Sequence, residues 1–274
     1  MTSKLLPYAE VIGDPIEHSR SPLIHGFWLE ASGISAAYRR LLVSRADLPF
    51  YLATRRGDPQ WRGSNVTMPL KLDALALADD ASDRAVAAGA ANLLLPRDGK
   101  LFAANTDVGA IATLVDRQRK AKRAAASVTL LGNGGAARAA LVALKLLGID
   151  QVRIQARDLG EATSLAVEFG LGPAPGQLTD PIASDGLINA TPLGMPGRDC
   201  LNCDVSLMPA EGFVFDMVAA PADTLLIAAA RMRQLAVVTG LEMLVEQAAT
   251  SFKLLFGQDP PRDRDQDLWH RLTP

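Results

Sequence analysis

Several things are scarce in this sequence. Only two of its 274 residues are cysteines, Cys200 and Cys203. With no second pair and no histidine nearby, they make neither a disulfide framework nor a complete zinc set. They fall in a Gly/Pro/Asn/Asp-rich stretch rather than at a helix start, so the expectation is two reduced surface thiols. There are three histidines; His18 and His25 lack a partner that would complete a ligand set, and no metal is expected. An excess of charge is missing too: 28 Lys and Arg against 30 Asp and Glu leave a net charge of −2. That removes the cationic footprint of a nucleic-acid binder. The one basic cluster, Arg117-Gln-Arg-Lys-Ala-Lys-Arg123, is short and reads as a solvated connection. No apolar run approaches a membrane span, and Met1–Glu10 holds no adequate hydrophobic leader core. A cytoplasmic protein without membrane partners is expected. Aromatic residues are only 5%, yet the hydrophobic fraction is 49%, which predicts an aliphatic globular core rather than disorder. The length suits two modest domains or one large one.

The pattern that organises the chain is the glycine turn at Gly132. Val128–Leu131 reads as a strand, Gly132-Asn-Gly134-Gly-Ala-Ala137 as a tight turn, and the Ala/Leu-rich stretch up to Leu147 as a helix. Gly132, Gly134 and Ala137 occupy the three positions of the dinucleotide fingerprint. The first permits the sharp turn, the second lets backbone approach a pyrophosphate, and the third lets helix pack on strand. Gly148 then supplies a helix stop and Val152–Gln155 the next strand, completing one βαβ unit.

Strands are further predicted at Tyr8–Ile12, Tyr38–Val43, Gly186–Asn189, Phe213–Asp216 and Ala236–Thr239, and Asn92–Leu95 with Leu101–Ala103 flank a hairpin turn at Arg97-Asp-Gly99. Helices are predicted at Leu23–Ala31, Leu70–Ala78, Ala81–Ala88, Val108–Val115, Glu161–Phe169, Ala222–Arg233 and Glu242–Phe256, with a short one at the C-terminal end. Ser19 and Ser21 before Pro22, and Thr106 or Asp107 before Val108, are candidate helix caps as well as candidate ligand groups. Alternating strands and helices predict an α/β fold with a doubly wound parallel sheet.

Seven stretches carry a more specific signal: GDPIEHSRSP from Gly13, NVTMPLK from Asn65, GAAN from Gly89, NTDVG from Asn105, GNGGAA from Gly132, NATPLGM from Asn189 and EMLVEQAATSF from Glu242. In this order they resemble the shikimate/quinate dehydrogenase family over nearly the whole chain. The resemblance implies an N-terminal α/β substrate domain, residues 1–105 completed by helices within 241–274, facing across a cleft a Rossmann-type nicotinamide domain, residues 106–240. It implies NADP or NAD as cofactor, no metal, a cyclic hydroxy acid as substrate, and a monomer or homodimer. Ser19 and Ser21 would hold the substrate carboxylate. Asn65, Thr67, Asn92 and Gln247 would hydrogen-bond its ring hydroxyls, and Lys71 with Asp107 would be the catalytic pair. The cofactor would lie along Gly132, Asn133, Gly134, Gly135 and Ala136, then Ala156, Arg157 and Asp158, then Asn189, Thr191 and Pro192, and finally Met217 and Gly240. Moving a hydride from a secondary alcohol requires the hydroxyl proton to leave as well, which Lys71 could accept.

The sequence departs from the family at a few positions. Asn-Arg-Thr with a second arginine usually clasps the 2′-phosphate of NADP. Here Ala156-Arg157-Asp158 and Glu161 stand instead. Two carboxylates beside Arg157 favour NAD by repulsion of that phosphate, the family favours NADP, and the pattern leaves both open. Ala219 replaces a tyrosine that helps hold the carboxylate, Leu93 replaces a threonine, and Gly26 follows His25. Quinate or another close cyclic hydroxy acid is therefore also open. So are a non-catalytic nicotinamide-responsive protein and an oxidoreductase with an unrelated substrate.

Overall fold

The first strand, β1 (Tyr8–Gly13), is buried at every position although it contains Glu10. A strand buried on both faces belongs in the middle of a sheet. In the computed structural model, which describes residues 6–121 and 123–273, the chain divides into two units, Met1–Thr106 with Val245–Pro274, and Asp107–Leu244. In the first, α1 (Ser21–Ala31) leads from β1 to β2 (Ala37–Leu42), and α2 (Leu48–Arg56) leads on to β3 (Trp61–Val66). Then follow α3 (Lys71–Ala76), β4 (Asp80–Ala81), α4 (Asp83–Ala88), β5 (Leu93–Arg97) and β6 (Lys100–Ala104). The six strands order as β2-β1-β3-β5-β6-β4. β1 is parallel to β2 and β3, whereas β5 is antiparallel to β3 and β6. The β5–β6 hairpin turns on Asp98 and Gly99, both at positive φ (52° and 75°), the backbone that a two-residue turn of matching twist requires.

Two departures from the expected elements have local causes. No element is predicted at Leu48–Arg56, where α2 stands. Its buried residues Leu48, Tyr51 and Leu52 have helical spacing, but they are few and Pro49 interrupts the run. The helix expected from Ala81 begins only at Asp83, because the Ser82 hydroxyl accepts from the Ala85 N–H at 3.3 Å and caps it there. Asp80 and Ala81 pair with β6 instead.

Glu10 is tolerated in the core because its carboxylate is surrounded by donors. Arg55 Nε lies 2.8 Å away, Arg39 Nε 2.9 Å and the Tyr51 hydroxyl 2.7 Å. Burial alone would raise its pKa. The hydrogen bonds from Arg55, Tyr51 and Arg39 outweigh that and hold it below the usual carboxylate value. His25 is an aromatic core residue: its ring stacks on Tyr38 at 4.0 Å, and burial lowers its pKa to about 3, keeping it neutral.

The second unit comprises α5 (Asp107–Lys120), β7 (Ser127–Leu131), α6 (Gly135–Leu146), β8 (Gln151–Gln155), α7 (Leu159–Phe169), β9 (Gly186–Asn189), β10 (Phe213–Asp216), α8 (Leu225–Met232) and β11 (Ala236–Thr239). All its strand pairings are parallel, in the order β11-β10-β9-β7-β8. Counted from β7, this is a doubly wound sheet whose direction reverses between β7 and β9, and in such sheets ligands sit at that reversal. α9 (Gly240–Phe256) crosses the division of the chain, and α10 (Asp265–Leu272) follows a 3-10 turn.

Two expectations are corrected in this unit. The basic cluster is largely helical rather than a connection, since α5 runs to Lys120. Arg119 donates to the Leu147 carbonyl at 2.7 Å and Lys120 pairs with Asp116 at 2.7 Å; Lys122 lies outside the described residues, as do residues 1–5 of the segment read for a leader. Cys200 is exposed, but Cys203 is half-buried against the Leu201, Val205 and Met208 cluster. Burial, then the nearby Asp204 and Asp216, push its thiol up to about 12. Among the described residues no helix is long and apolar enough to cross a membrane, and no group of three or more His, Cys, Asp or Glu could hold a metal ion.

Glu10→Gln is expected to lower unfolding free energy by about 3 kcal/mol at pH 7, since it unbalances a buried charge network. Because the folded-state pKa is depressed, the stabilisation is present above the unfolded-state carboxylate pKa and is lost as pH falls through the folded-state value. Urea unfolding of both proteins should therefore show a gap that narrows below about pH 4.

Candidate active site

In the first unit, three of the residues expected to bind substrate, Asn65, Asn92 and Gln247, converge on one buried hydrogen-bond network. Asn65 is the penultimate residue of β3, Asn92 immediately precedes β5, and Gln247 faces inward from α9. All three are at most 7% exposed. The Asn65 Oδ1 accepts from the Tyr38 hydroxyl at 2.8 Å, and its Nδ2 donates to Ser251 Oγ at 2.9 Å and, more weakly, to the Asn92 carbonyl at 3.4 Å. Asn92 and Thr106 are joined three ways: the Thr106 N–H donates to Asn92 Oδ1 at 2.7 Å, Asn92 Nδ2 donates to Thr106 Oγ1 at 2.9 Å, and the Thr106 hydroxyl lies 3.3 Å from Asn92 Oδ1. Gln247 Oε1 lies 3.3 Å from Thr106 Oγ1 and 3.5 Å from Asn92 Nδ2. Thr106 and Ser251 share a hydrogen bond of 3.2 Å. Buried amides need both ends satisfied, and this arrangement does so with side chains from β2, β3, α9 and the segments flanking β5 and β6.

Thr67 and Lys71 lie just beyond β3, both half-buried; Lys71 is the first residue of α3, and its carbonyl accepts from the Ala91 N–H at 2.8 Å. Ser21 is buried at the start of α1 and hydrogen-bonds the Tyr38 phenol. Ser19 does not cap α1, which has no side-chain cap; its hydroxyl instead accepts from the Ser21 N–H at 3.4 Å. Tyr38, Thr106 and Ser251 are not among the residues singled out from sequence as substrate ligands. Ser251 had a readable signal, a small polar residue on the apolar face of an amphipathic helix.

Asp107 is the first residue of the second unit and of α5, and it is buried. The other residues of this unit gather at the carboxyl ends of β7, β8, β9 and β10. Gly132 sits at φ +106°, where an added Cβ would meet the Ala190 carbonyl oxygen and Thr191 Cγ2, both at 3.2 Å. Gly134 is exposed with nothing within 4 Å of its missing side chain. No side chain caps α6, whose first turn contains Gly135 and Ala136. A tight turn, open space and uncapped helical N–H groups are what a dinucleotide pyrophosphate requires, so the residues present fit that group.

Asn189 is fully buried, and its amide is used internally. Nδ2 donates to Asp216 Oδ1 at 2.9 Å, while Oδ1 accepts from the Thr191 N–H at 3.0 Å and the Thr191 hydroxyl at 2.7 Å. Asn189 thus shapes the Thr191-Pro192 loop rather than presenting its amide. Asp216 also accepts from the Thr224 hydroxyl at 2.6 Å and the Val218 N–H at 3.1 Å. Burial raises its pKa against these hydrogen bonds. The Met217 N–H donates to the Asn189 carbonyl at 3.0 Å. Gly240 opens α9 so close to this segment that a Cβ would overlap the Val218 backbone. Beyond β8, Ala156 is buried, Arg157 is exposed, and Asp158 caps α7 by accepting from the Glu161 N–H at 3.0 Å. The Glu161 carboxylate accepts from Asn133 Nδ2 at 2.8 Å.

A doubly wound sheet with this glycine turn at its reversal, together with an α/β unit whose interior assembles amides and hydroxyls, defines a two-domain dehydrogenase of the nicotinamide-nucleotide class. The family model of the shikimate dehydrogenase substrate binding domain matches residues 11–94, and that of the shikimate 5′-dehydrogenase C-terminal domain matches residues 240–265. Shikimate dehydrogenase (NADP(+)) of Sphingopyxis alaskensis is 43% identical over 271 residues, covering 96% of this chain and 95% of its own. Among solved structures, shikimate 5-dehydrogenase of Thermus thermophilus in complex with NADP(H) and shikimate has a TM-score of 0.84 at 33% identity, covering 97% of this chain and 100% of its own. Quinate dehydrogenase of Corynebacterium glutamicum in complex with NAD has a TM-score of 0.82 at 28% identity, covering 97% and 99%. The chain belongs to the shikimate dehydrogenase family.

Gly132→Ala is expected to cost about 1–3 kcal/mol in backbone strain and to weaken dinucleotide binding by about 10-fold or more, since 1.4 kcal/mol is tenfold. Isothermal titration calorimetry with NADP and NAD reads this directly; unchanged affinity for both would separate the turn from the dinucleotide.

Proposed function

We propose that the protein catalyses the reversible oxidation of shikimate to 3-dehydroshikimate with NADP as the preferred coenzyme. The observation that carries the substrate assignment is the buried set Asn65, Asn92 and Gln247. It gathers amide groups suited to ring hydroxyls in a chain whose relative from Sphingopyxis alaskensis bears this activity in its name. Ser19 and Ser21 take the carboxylate, and Asn65, Thr67, Asn92 and Gln247 take the hydroxyls. In oxidation the Lys71 amine accepts the proton of the reacting hydroxyl as the carbinol carbon loses its hydride. In reduction the Lys71 ammonium polarises the ketone and returns that proton. Asp107 completes the pair as an acceptor that holds the ammonium in place. The bound nicotinamide supplies a two-electron hydride acceptor or donor; Gly132, Asn133, Gly134, Gly135 and Ala136 would hold its pyrophosphate, with Ala156 and Arg157, the loop of Asn189, Thr191 and Pro192, and Met217 and Gly240 completing the coenzyme side.

Two features support NADP. Relatives are named for it, and Arg157 is exposed and makes no hydrogen bond or ion pair with another described residue, which suits a 2′-phosphate clasp. The Asp158 and Glu161 carboxylates favour NAD as the second reading, in the manner of an acidic group on a ribose 2′-OH. Initial rates crossing shikimate and quinate with NADP and NAD test both assignments, with the highest kcat/KM expected for shikimate with NADP.

Lys71→Ala should lower kcat by about 10²-fold or more with little change in KM, as loss of proton transfer predicts. A large KM increase at unchanged kcat would assign Lys71 to binding instead. For Asp158→Ser, which keeps a capping hydroxyl, the kcat/KM ratio of NADP over NAD should rise by about 10-fold through relief of charge repulsion. An unchanged ratio would show that the Asp158 charge does not act on the coenzyme.

A further inference from the structure

The hydrogen bonds around Ser251 have a direction, and that direction reaches the substrate-binding amides. Asn65 is oriented by three neighbours. Its Oδ1 receives the Tyr38 hydroxyl, and its Nδ2 faces both Ser251 Oγ and the Asn92 carbonyl. Flipping the amide would set two carbonyl oxygens against each other at 3.4 Å, so the donor end stays toward Ser251. Ser251 therefore accepts from Asn65, and its own single proton is left for Thr106 Oγ1, 3.2 Å away. Thr106 Oγ1 then accepts twice, from Ser251 and from Asn92 Nδ2, and must give its proton onward. Two acceptors lie 3.3 Å from Thr106 Oγ1, Asn92 Oδ1 and Gln247 Oε1, so that proton goes to one of these two amides.

We propose that Ser251 is a positioning residue for substrate recognition: it accepts from Asn65 and donates to Thr106, and so helps hold the Asn65, Asn92 and Gln247 amides in the sense that meets the substrate. The inference rests on the reading of the protein as a shikimate dehydrogenase. Ser251 is fully buried and touches no substrate itself. It acts through Asn65 on one side and Thr106 on the other. Gln247 Oε1 faces Thr106 Oγ1 and Asn92 Nδ2, so the set of that amide depends on where Thr106 and Asn92 are held. Removal of the Ser251 hydroxyl leaves the Asn65 Nδ2 with the weak 3.4 Å bond to Asn92, and leaves Thr106 free to turn its proton toward its other neighbours. The Asn92 and Gln247 amides then lose one of the groups that hold them in place. The coenzyme-side residues take no part in the chain of bonds, so its loss is confined to the hydroxy acid.

The test compares wild type with Ser251→Ala, Thr106→Val and the double variant, measuring calorimetric Kd for shikimate and for NADP, kcat and KM, and thermal melting. Ser251→Ala is expected to raise shikimate Kd and KM about 10-fold, the size of one lost buried hydrogen bond. It should leave NADP Kd unchanged and kcat within about 3-fold, the pattern of lost binding rather than lost chemistry. Because both residues act in one chain, the double variant should bind shikimate no more weakly than the worse single variant. Shikimate Kd unchanged in Ser251→Ala, with or without a lower melting temperature, overturns the proposal, as do additive effects in the double variant. A wild type that binds neither shikimate nor quinate overturns the functional reading itself, and this inference with it.

Discussion

An amide buried away from water has two unlike ends, and each must find its complement. Asn65, Asn92 and Gln247 meet this demand through one another and through Tyr38, Thr106 and Ser251, and the backbone is arranged to let them. Asn65 must come at the end of β3 and Asn92 at the mouth of β5, which the antiparallel pairing of those strands achieves. Thr106 must follow β6, and its N–H reaches Asn92 because the β5–β6 hairpin brings the two ends level, Leu93 opposite Ala104. The return of α9 from the far end of the chain supplies Gln247 and Ser251. A slip of one residue in any of these pairings would leave several buried polar atoms unmet at about 1–3 kcal/mol each. The interior thus specifies a strand register through its polar groups as well as its apolar ones.

The second unit obeys the same rule with a carboxylate. Asn189 and Asp216 end neighbouring parallel strands in register, so their side chains meet. The remaining acceptor capacity of both is directed at the loops that follow: Thr191 bonds to Asn189, while Val218 and Thr224 bond to Asp216. Gly132 completes the arrangement from the next strand over, pressed against the Ala190 carbonyl in a backbone conformation that disfavours any side chain. Three loops at the reversal of the sheet are thus shaped by hydrogen bonds and close contacts made within the protein itself.

Much of the architecture was legible because it is written in runs and turns. β9, β10 and β11 end where the apolar runs at Gly186–Asn189, Phe213–Asp216 and Ala236–Thr239 end. A strand buried on both faces has no alternative composition. α2 was not legible, since Pro49 and the exposed Phe50 break a pattern that three buried residues barely establish. Asn65, Asn92 and Gln247 could be named only through family motifs. What joins them could not be, because Tyr38 and Asn65 are 27 positions apart and Asn65 and Ser251 are 186 apart. Periodicity reports which face a residue occupies and is silent about what waits there. Cys203 shows the same limit: its loop composition says surface, whereas its packing against Leu201 and Met208 says otherwise.

The acidic residues after β8 show how a structural duty alters a charge argument. From sequence alone, Asp158 and Glu161 are two carboxylates beside an arginine. In the fold, Asp158 sits at the N-terminus of α7, where the helix dipole offsets part of its charge and the Glu161 N–H occupies one oxygen. Glu161 holds Asn133 of the glycine turn. Each therefore has a reason to be acidic or polar that does not concern the coenzyme, while Arg157 carries no such obligation. A cap is worth about 1 kcal/mol and a serine or threonine supplies it equally well, so the duty explains a polar residue at position 158 but not its charge. The charge is the only part of Asp158 that helix formation leaves over. Coenzyme choice is where that remaining charge would be felt, set against a guanidinium one residue away.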